Sequence, residues 1–130
     1  MIIEIDGDKL NTSDLQFAYK SGFSTAQCTF NLLETIKYYN YKSTTLYLVL
    51  LDASKAFDRV NYSRLFTELL DRMVHPLIIR FLLSSYLCQL LNVKWRQHLS
   101  AFFSTSNGVK QGGVLSPLLF SVFVDELLVR

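Results

Sequence analysis

Residues 50–60 of the chain read Leu-Leu-Asp-Ala-Ser-Lys-Ala-Phe-Asp-Arg-Val. They complete the apolar run Thr45–Leu51, whose β-prone residues are too few for a typical helix. Such a run is typical of a central strand covered on both faces. The strand would deliver Asp52 to its carboxyl end, where a charge beside a buried strand is costly unless it has a partner or a function. From position alone, an Asp that caps the next turn is the simpler interpretation.

The second informative stretch is 107–120, Asn-Gly-Val-Lys-Gln-Gly-Gly-Val-Leu-Ser-Pro-Leu-Leu-Phe. Its glycine pair, at 112–113, permits positive φ and lets the backbone approach a ligand closely. Gln111 offers both a hydrogen-bond donor and acceptors. Ser116 is predicted to cap the last helix, with Pro117 in its first turn. Taken alone, the stretch is a loop that runs into a helix.

The flanking segments predict three further helices and a hairpin. Ser24 or Thr25 is expected to cap a helix to about Tyr39 that presents an apolar face, and Pro76 to open one that reaches about Cys88. The other predicted elements are a helix from Asn61 or Ser63 through Leu70, with Leu65, Phe66, Leu69 and Leu70 inward, and strands Leu91–Arg96 and Ala101–Thr105 joined by a turn at His98–Ser100; the apolar face of the first helix comprises Phe30, Leu33 and Ile36. Interspersed helices and strands predict an α+β fold.

Composition narrows the function classes. The chain has 130 residues, half of them hydrophobic, which suffices for one globular unit with one core. A net charge of +2 guarantees no strongly basic face, so a role with nucleic acid must rest on motifs. Cys28 and Cys88 fit no metal spacing and are predicted to be reduced core residues rather than a bridge. The first residues do not form a signal peptide, and Leu77–Leu91 is too short to span a bilayer, so an intracellular location is expected.

Three stretches resemble one known family. Residues 50–60 resemble the first catalytic motif of reverse transcriptases, in the form found in non-LTR (LINE-type) retrotransposons. Residues 107–120 resemble the second palm motif, Gln-Gly-x-x-x-Ser-Pro, and 93–113 resemble the hairpin that precedes it. Residues 16–25, Gln-Phe-Ala-Tyr-Lys-Ser-Gly-Phe-Ser-Thr, resemble the fingers motif. The motifs occur in family order, and the resemblance covers nearly all of the chain from Leu15 onward.

The resemblance implies an RNA-directed DNA polymerase that transfers dNTPs onto a primer 3′-hydroxyl with two Mg²⁺ ions about 4 Å apart. Asp52 matches the family's metal-bridging aspartate, and the carbonyl of Ala53 matches a further metal ligand. Phe57 matches the steric gate that disfavours a 2′-hydroxyl, although an ordinary core Phe is the alternative. Gln111 and Gly112 match positions near the incoming nucleotide and the template base.

The fingers stretch departs from the family pattern. Lys20 stands where the family commonly has Arg, which keeps the charge for a nucleotide contact but loses bidentate phosphate geometry. Ala18, Tyr19 and Phe23 also differ from the usual residues. Asp58 is not a metal ligand in this comparison and is expected to pair locally, with Arg59 or with loop amides.

The family's third palm motif, an aromatic-x-Asp-Asp turn, has no counterpart in the sequence. Asp125 and Glu126 match instead a polar pair that closes the helix after the Gln-Gly loop. We therefore expect a fingers–palm fragment of a right-hand polymerase, with residues 1–44 fingers-like and 45–130 a partial palm, helices packed on a small mixed or antiparallel sheet. We expect it to be inactive alone, and self-association through exposed palm surface is a further expectation. In the complete enzyme the partners would be RNA template, DNA primer and dNTP. The alternative is a degenerate retroelement domain that binds nucleic acid or acts as a scaffold without catalysis.

Overall fold

The computed structural model describes residues 6–129, in which loops connect helices and short antiparallel strand pairs. The α+β class predicted from the sequence is confirmed. The α-helices are α1 (Thr25–Tyr41), α2 (Tyr62–Asp71), α3 (Pro76–Leu87) and α4 (Ser116–Val129), and Gly7–Leu10 and Phe57–Arg59 are short 3-10 helices. The strands are β1 (Leu90–Leu91), β2 (Lys94–Trp95), β3 (His98–Leu99) and β4 (Phe103–Ser104).

The core lies between helices α2, α3 and α4. α2 contributes its fully buried Leu65 and Leu69, and α4 contributes Val122. Val60, in the loop before α2, and Val109, in the loop before α4, belong to the same buried cluster. Each such side chain contributes about 1.5–3 kcal/mol when it leaves water. The strands, by contrast, are exposed and form no layer of the core.

The helix starts follow the local signals in the sequence. The Ser24 side chain accepts from the Gln27 backbone N–H, and the Gln27 side chain accepts from the Ser24 backbone N–H, which forms a capping box. Asn61 caps α2 by accepting from the Arg64 N–H at 3.0 Å. Pro76 occupies the first turn of α3, where its missing N–H has no cost.

The predicted inward faces are partly wrong. No residue of α1 is buried, and Phe30 and Leu33 of its expected apolar face are exposed. Leu70 of α2 also points outward, being 56% exposed. Both faces have the spacing of a buried stripe, but a stripe is buried only where another element packs against it, and residues 6–129 provide none there.

The central strand predicted at Thr45–Leu51 is not present. The segment from residue 44 to 53 has no regular secondary structure, and Leu51 is 94% exposed. A run of β-prone residues becomes a strand only when neighbouring strands accept and donate its backbone hydrogen bonds. Within residues 6–129 no strand pairs with it.

An antiparallel hairpin is present where the sequence predicts one, but its turn and the bounds of its strands differ from the prediction. β1 pairs with β4 and β2 pairs with β3, both antiparallel, so the hairpin has two short ladders. The turn was predicted at His98–Ser100, but His98 and Leu99 are strand residues. The chain instead reverses at Arg96, whose φ is 55°, and Gln97. Alternating polarity in a sequence indicates a strand, but it does not locate the turn, which depends on the local backbone conformation.

Both cysteines are free, as predicted, but neither lies in the core. Cys28 on α1 and Cys88 after α3 are exposed, so the prediction of core residues is wrong. The position of Cys28 follows from the unburied face of α1. Among the helices of residues 6–129, none has the length and apolarity needed to cross a bilayer.

Candidate functional site

The two motif segments, 57–60 and 107–109, are joined directly through their backbones. The Val109 N–H donates to the Phe57 carbonyl at 2.9 Å, and the Gly108 N–H donates to the Val60 carbonyl at 2.8 Å. Val60 and Val109 are buried at this junction. Because backbone hydrogen bonds fix the distance and angle between two segments, the motifs keep a constant relative position.

Gly108 makes this junction sterically feasible. Its φ is +92°, and a Cβ added there would lie 3.1 Å from both the Cα and the carbonyl oxygen of Asp58. A side chain at this position would therefore push backbone against backbone. Sequence reasoning placed the critical glycines at 112–113 and missed this one. The signal was the Asn107-Gly108 dipeptide, a strong turn marker.

Phe57 contacts two other aromatic rings, those of Phe120 and Tyr19. Its ring stacks on Phe120 of α4 with centroids 4.5 Å apart and planes inclined by 21°. Tyr19 meets Phe57 edge-on, with centroids 6.4 Å apart and planes at 83°. Offset stacking and edge-to-face contacts each restrict ring motion and contribute about 0.5–1.5 kcal/mol. Phe57 is half-buried and held from two sides.

A cavity of about 430 Å³ opens beside the Phe57 ring. Gly112, with a φ of +81°, turns the loop that forms one wall, so the expectation of a positive φ in the glycine pair is confirmed. The Ser116 hydroxyl is buried and has no hydrogen-bond partner within residues 6–129, so its predicted capping bond is absent although the helix starts there. The lining residues are Phe57, Lys110, Gln111, Gly112, Gly113, Ser116 and Pro117.

Lys20 occupies a different place from the cavity. Its ammonium donates to the carbonyls of residues 12–13 at 2.9 and 3.3 Å and to the Asp14 carboxylate at 2.7 Å. It also lies 4.4 Å from the centre of the Phe23 ring. The hydrogen bond from Lys20 holds the pKa of Asp14 below its ordinary value. Lys20 therefore organises the loop in which it lies.

Asp58 is exposed and does not line the cavity beside Phe57. It lines a second cavity, of about 610 Å³, together with Gln89 and Asn107. Local pairing of this side chain was expected, but its carboxylate makes no hydrogen bond or ion pair within the described chain. Only its backbone N–H is engaged, with the Lys55 carbonyl at 3.1 Å.

Comparison with known proteins identifies the family to which this sequence belongs. The sequence model of the family "Reverse transcriptase (RNA-dependent DNA polymerase)" matches residues 6–130. The chain belongs to the reverse transcriptase family. Both motif segments and the junction between them lie inside the matched range.

Relatives of this reverse transcriptase chain include polyproteins of non-LTR elements. It is 32% identical over 95 residues to a retrovirus-related Pol polyprotein from the type-1 retrotransposable element R2 of Popillia japonica. The same identity extends over 122 residues to the R2 polyprotein of Nasonia vitripennis and over 115 residues to a probable RNA-directed DNA polymerase from transposon BS of Drosophila melanogaster. These matches cover 73%, 93% and 88% of the chain.

The chain spans a small part of those relatives, 16% of the first and 12% of each of the others. No solved structure is significantly similar to the reverse transcriptase chain. The predicted identity as part of a non-LTR reverse transcriptase is confirmed.

Reverse transcriptases normally need a divalent metal, which carboxylate and carbonyl oxygens can hold. Asp52 and Ala53, the predicted ligands, are exposed and lie in the segment without regular structure. They are not among the residues that line the cavity beside Phe57. No group of three or more His, Cys, Asp or Glu side chains within residues 6–129 is arranged to hold a metal ion. The donor set of the described residues does not fit a two-metal site, because one carboxylate cannot hold two dications against water.

Proposed function

We propose that this chain forms the sugar-facing and base-facing wall of an RNA-directed DNA polymerase that adds dNTPs to a DNA primer on an RNA template. The observation that carries the proposal is the shared cavity, which Phe57 of one motif and Gln111 of the other both line, while backbone hydrogen bonds join the two motifs. In this assignment Phe57 contacts the sugar, while Gln111 and Gly112 contact the incoming nucleotide and the template base. Asp52 and the Ala53 carbonyl serve as metal ligands in the complete enzyme.

The restraint on Phe57 supports its role as a gate. A ring excludes a 2′-hydroxyl only if it cannot move aside, and the Phe57 ring is held by stacking on Phe120 and by an edge-to-face contact with Tyr19. Truncating Phe57 would remove both the obstacle and the two aromatic contacts. Each tenfold preference for deoxyribose corresponds to about 1.4 kcal/mol.

Equilibrium binding of dATP and ATP, with an RNA-template/DNA-primer duplex present, tests the gate. We expect the chain to bind dATP about tenfold or more tightly than ATP, and Phe57→Ala to reduce that ratio towards one. Phe102→Ala is the matched control, because Phe102 is exposed in the hairpin, and it should keep the ratio. Equal ratios in the parent chain and in a folded Phe57→Ala variant would contradict the role of Phe57.

We further propose that the chain does not extend a primer by itself. Nucleotidyl transfer depends on positive charge placed beside the developing phosphate charge, and loss of preorganised electrostatics costs large factors in rate. Asp52 alone does not supply the ligands for that charge. Primer extension with Mg²⁺, dNTPs and the annealed duplex should give no product. Template-dependent product that disappears in Asp52→Ala would overturn this proposal.

The second candidate function is nucleic-acid binding or scaffolding without catalysis. The two candidates differ in nucleotide selectivity: a scaffold would bind the duplex with equal affinity in the presence of dATP or ATP, whereas a polymerase wall distinguishes the sugars.

We also propose self-association through the exposed apolar run 47–51, since contiguous apolar surface of this kind favours association. Sedimentation over a range of concentrations measures it, and Val49→Lys should return the chain to monomer. A chain that stays monomeric at high concentration would contradict self-association.

A further inference from the structure

A mostly buried ion pair joins the end of α2 to the C-terminal half of α4. The Arg72 Nη2 atom donates to Asp125 Oδ2 at 2.8 Å, and the side chains are 18% and 8% exposed. Arg72 also donates through Nε to Glu68 at 3.0 Å and through Nη1 to the Asn11 carbonyl at 2.6 Å. The second oxygen of Asp125, Oδ1, accepts from the Ser13 N–H at 2.7 Å.

These bonds connect three parts of the chain that are distant in sequence. Arg72 follows α2 directly and Asp125 belongs to α4, while both bind the backbone of the N-terminal segment, defined as residues 11–23. Burial lowers the pKa of Arg72, but its hydrogen bonds to Asp125 and Glu68 outweigh this and hold the pKa above its ordinary value. A buried pair contributes little net stability when its desolvation is counted, so its main effect is to fix one arrangement.

The N-terminal segment transmits that arrangement to Tyr19. Lys20 binds the carbonyls of residues 12–13, the same stretch whose backbone meets Asp125. Tyr19, next to Lys20, has a φ of 57°, a conformation that is held only when its surroundings determine it. The ring of Tyr19 then makes an edge-to-face contact with the ring of Phe57.

We infer that Arg72 and Asp125 are positioning residues that hold the N-terminal segment so that Tyr19 keeps its edge-to-face contact with Phe57. The contact between Tyr19 and Phe57 is present in the structure itself, so the positioning role does not depend on which ligand the chain binds. Its consequence for nucleotide selection rests on the proposed function of Phe57.

Fluorine NMR of the chain labelled with 3-fluorotyrosine measures the position of Tyr19. Seven tyrosines give seven signals, and the signal that disappears in Tyr19→Phe is that of Tyr19. Asp125→Asn keeps an acceptor for the Ser13 N–H but removes the charge that faces Arg72. We expect the Tyr19 signal to move towards that of free 3-fluorotyrosine in this variant, with far-UV circular dichroism unchanged.

Asp71→Asn is the matched control, because Asp71 is exposed and adjacent to Arg72, and it should leave the Tyr19 signal in place. If Asp125→Asn loses its helical signal, Arg72→Lys replaces it, since Lys keeps the charge but loses the planar fork that reaches three acceptors. An unshifted Tyr19 signal in a folded Asp125→Asn or Arg72→Lys variant overturns the inference.

Nucleotide binding separates this inference from the proposed function. We expect the folded Asp125→Asn variant to lose roughly threefold or more of the dATP-to-ATP preference. If the parent chain shows no such preference while the Tyr19 signal shifts as expected, the proposed function fails and the positioning role stands. If the preference exists and the Tyr19 signal does not shift, the positioning role fails and the proposed function stands.

Discussion

Replacing Gly108 by Ala should disrupt the junction between the two motifs. The new methyl group would lie 3.1 Å from the Asp58 Cα and carbonyl oxygen and 3.2 Å from the Phe57 carbonyl oxygen. These atoms are backbone, so they cannot move aside as the end of a side chain can. The same carbonyl of Phe57 accepts the hydrogen bond of Val109, and any retreat would lengthen that bond.

The magnitude follows from two costs and one gain. Holding a non-glycine residue at positive φ costs about 1–2 kcal/mol, and forcing a methyl group into occupied space costs about 1–3 kcal/mol. Restricting the unfolded chain returns about 0.4–1 kcal/mol. Gly108→Ala should therefore lower the free energy of unfolding by about 2–4 kcal/mol.

Urea unfolding followed by far-UV circular dichroism measures this loss, and two glycines provide matched controls. Gly22 and Gly112 have φ values of +79° and +81°, but a Cβ at either meets no atom within 4 Å. Their Ala variants carry the backbone cost alone, so they should lose about 1 kcal/mol. Equal losses at Gly108, Gly22 and Gly112 would refute the contact argument, because the backbone conformation would then explain the entire effect.

Two further predictions concern the core and the response to acid. Leu65→Ala should cost about 2–5 kcal/mol in urea unfolding because Leu65 is fully buried, whereas exposed Leu70→Ala should change stability by about 0.5 kcal/mol or less; similar losses would mean that the core is misplaced. The hydrogen bond from Lys9 holds the pKa of Asp6 below its ordinary value. The resulting stabilisation is present above the ordinary carboxyl pKa and is lost as the pH falls through the lower pKa of the folded state. Asp6→Asn should thus be less stable at neutral pH and approach the parent chain in acid, with Asp8→Asn as the control; a constant difference would contradict this.

The helix starts were predictable because each depends on a few adjacent residues. Asn61 accepts from an N–H three residues ahead, and Pro76 needs only its own fixed φ. These effects operate within one turn of chain. The buried face of α2 was predicted nearly completely for a related reason: spacing along a helix determines which residues share a side.

The errors share a different physical origin. The exposed faces of α1 and the unpaired run 44–53 have sequences suited to burial, yet burial requires a partner that periodicity does not specify. The backbone contact at Gly108 was also missed, since a dipeptide marks a turn without identifying the segment it approaches. The polar network of Arg72 and Asp125 joins residues 53 apart, a distance over which sequence spacing carries no information.

The first motif, residues 50–60, likewise contains one part that is held by contacts and one part that has no packing partner. Phe57 is fixed by the 3-10 helix in which it lies, by two rings and by the bond from Val109, so its position is set by contacts within residues 6–129. Asp52, five residues earlier, lies at the end of a run that has no pairing strand and is exposed. An aspartate becomes a metal ligand of fixed geometry only when the strand that carries it is held by its neighbours. Under the proposed function, nucleotide selectivity should therefore not depend on an ordered Asp52: the contacts that hold Phe57 are made within residues 6–129, whereas the run 44–53 that carries Asp52 is unpaired there.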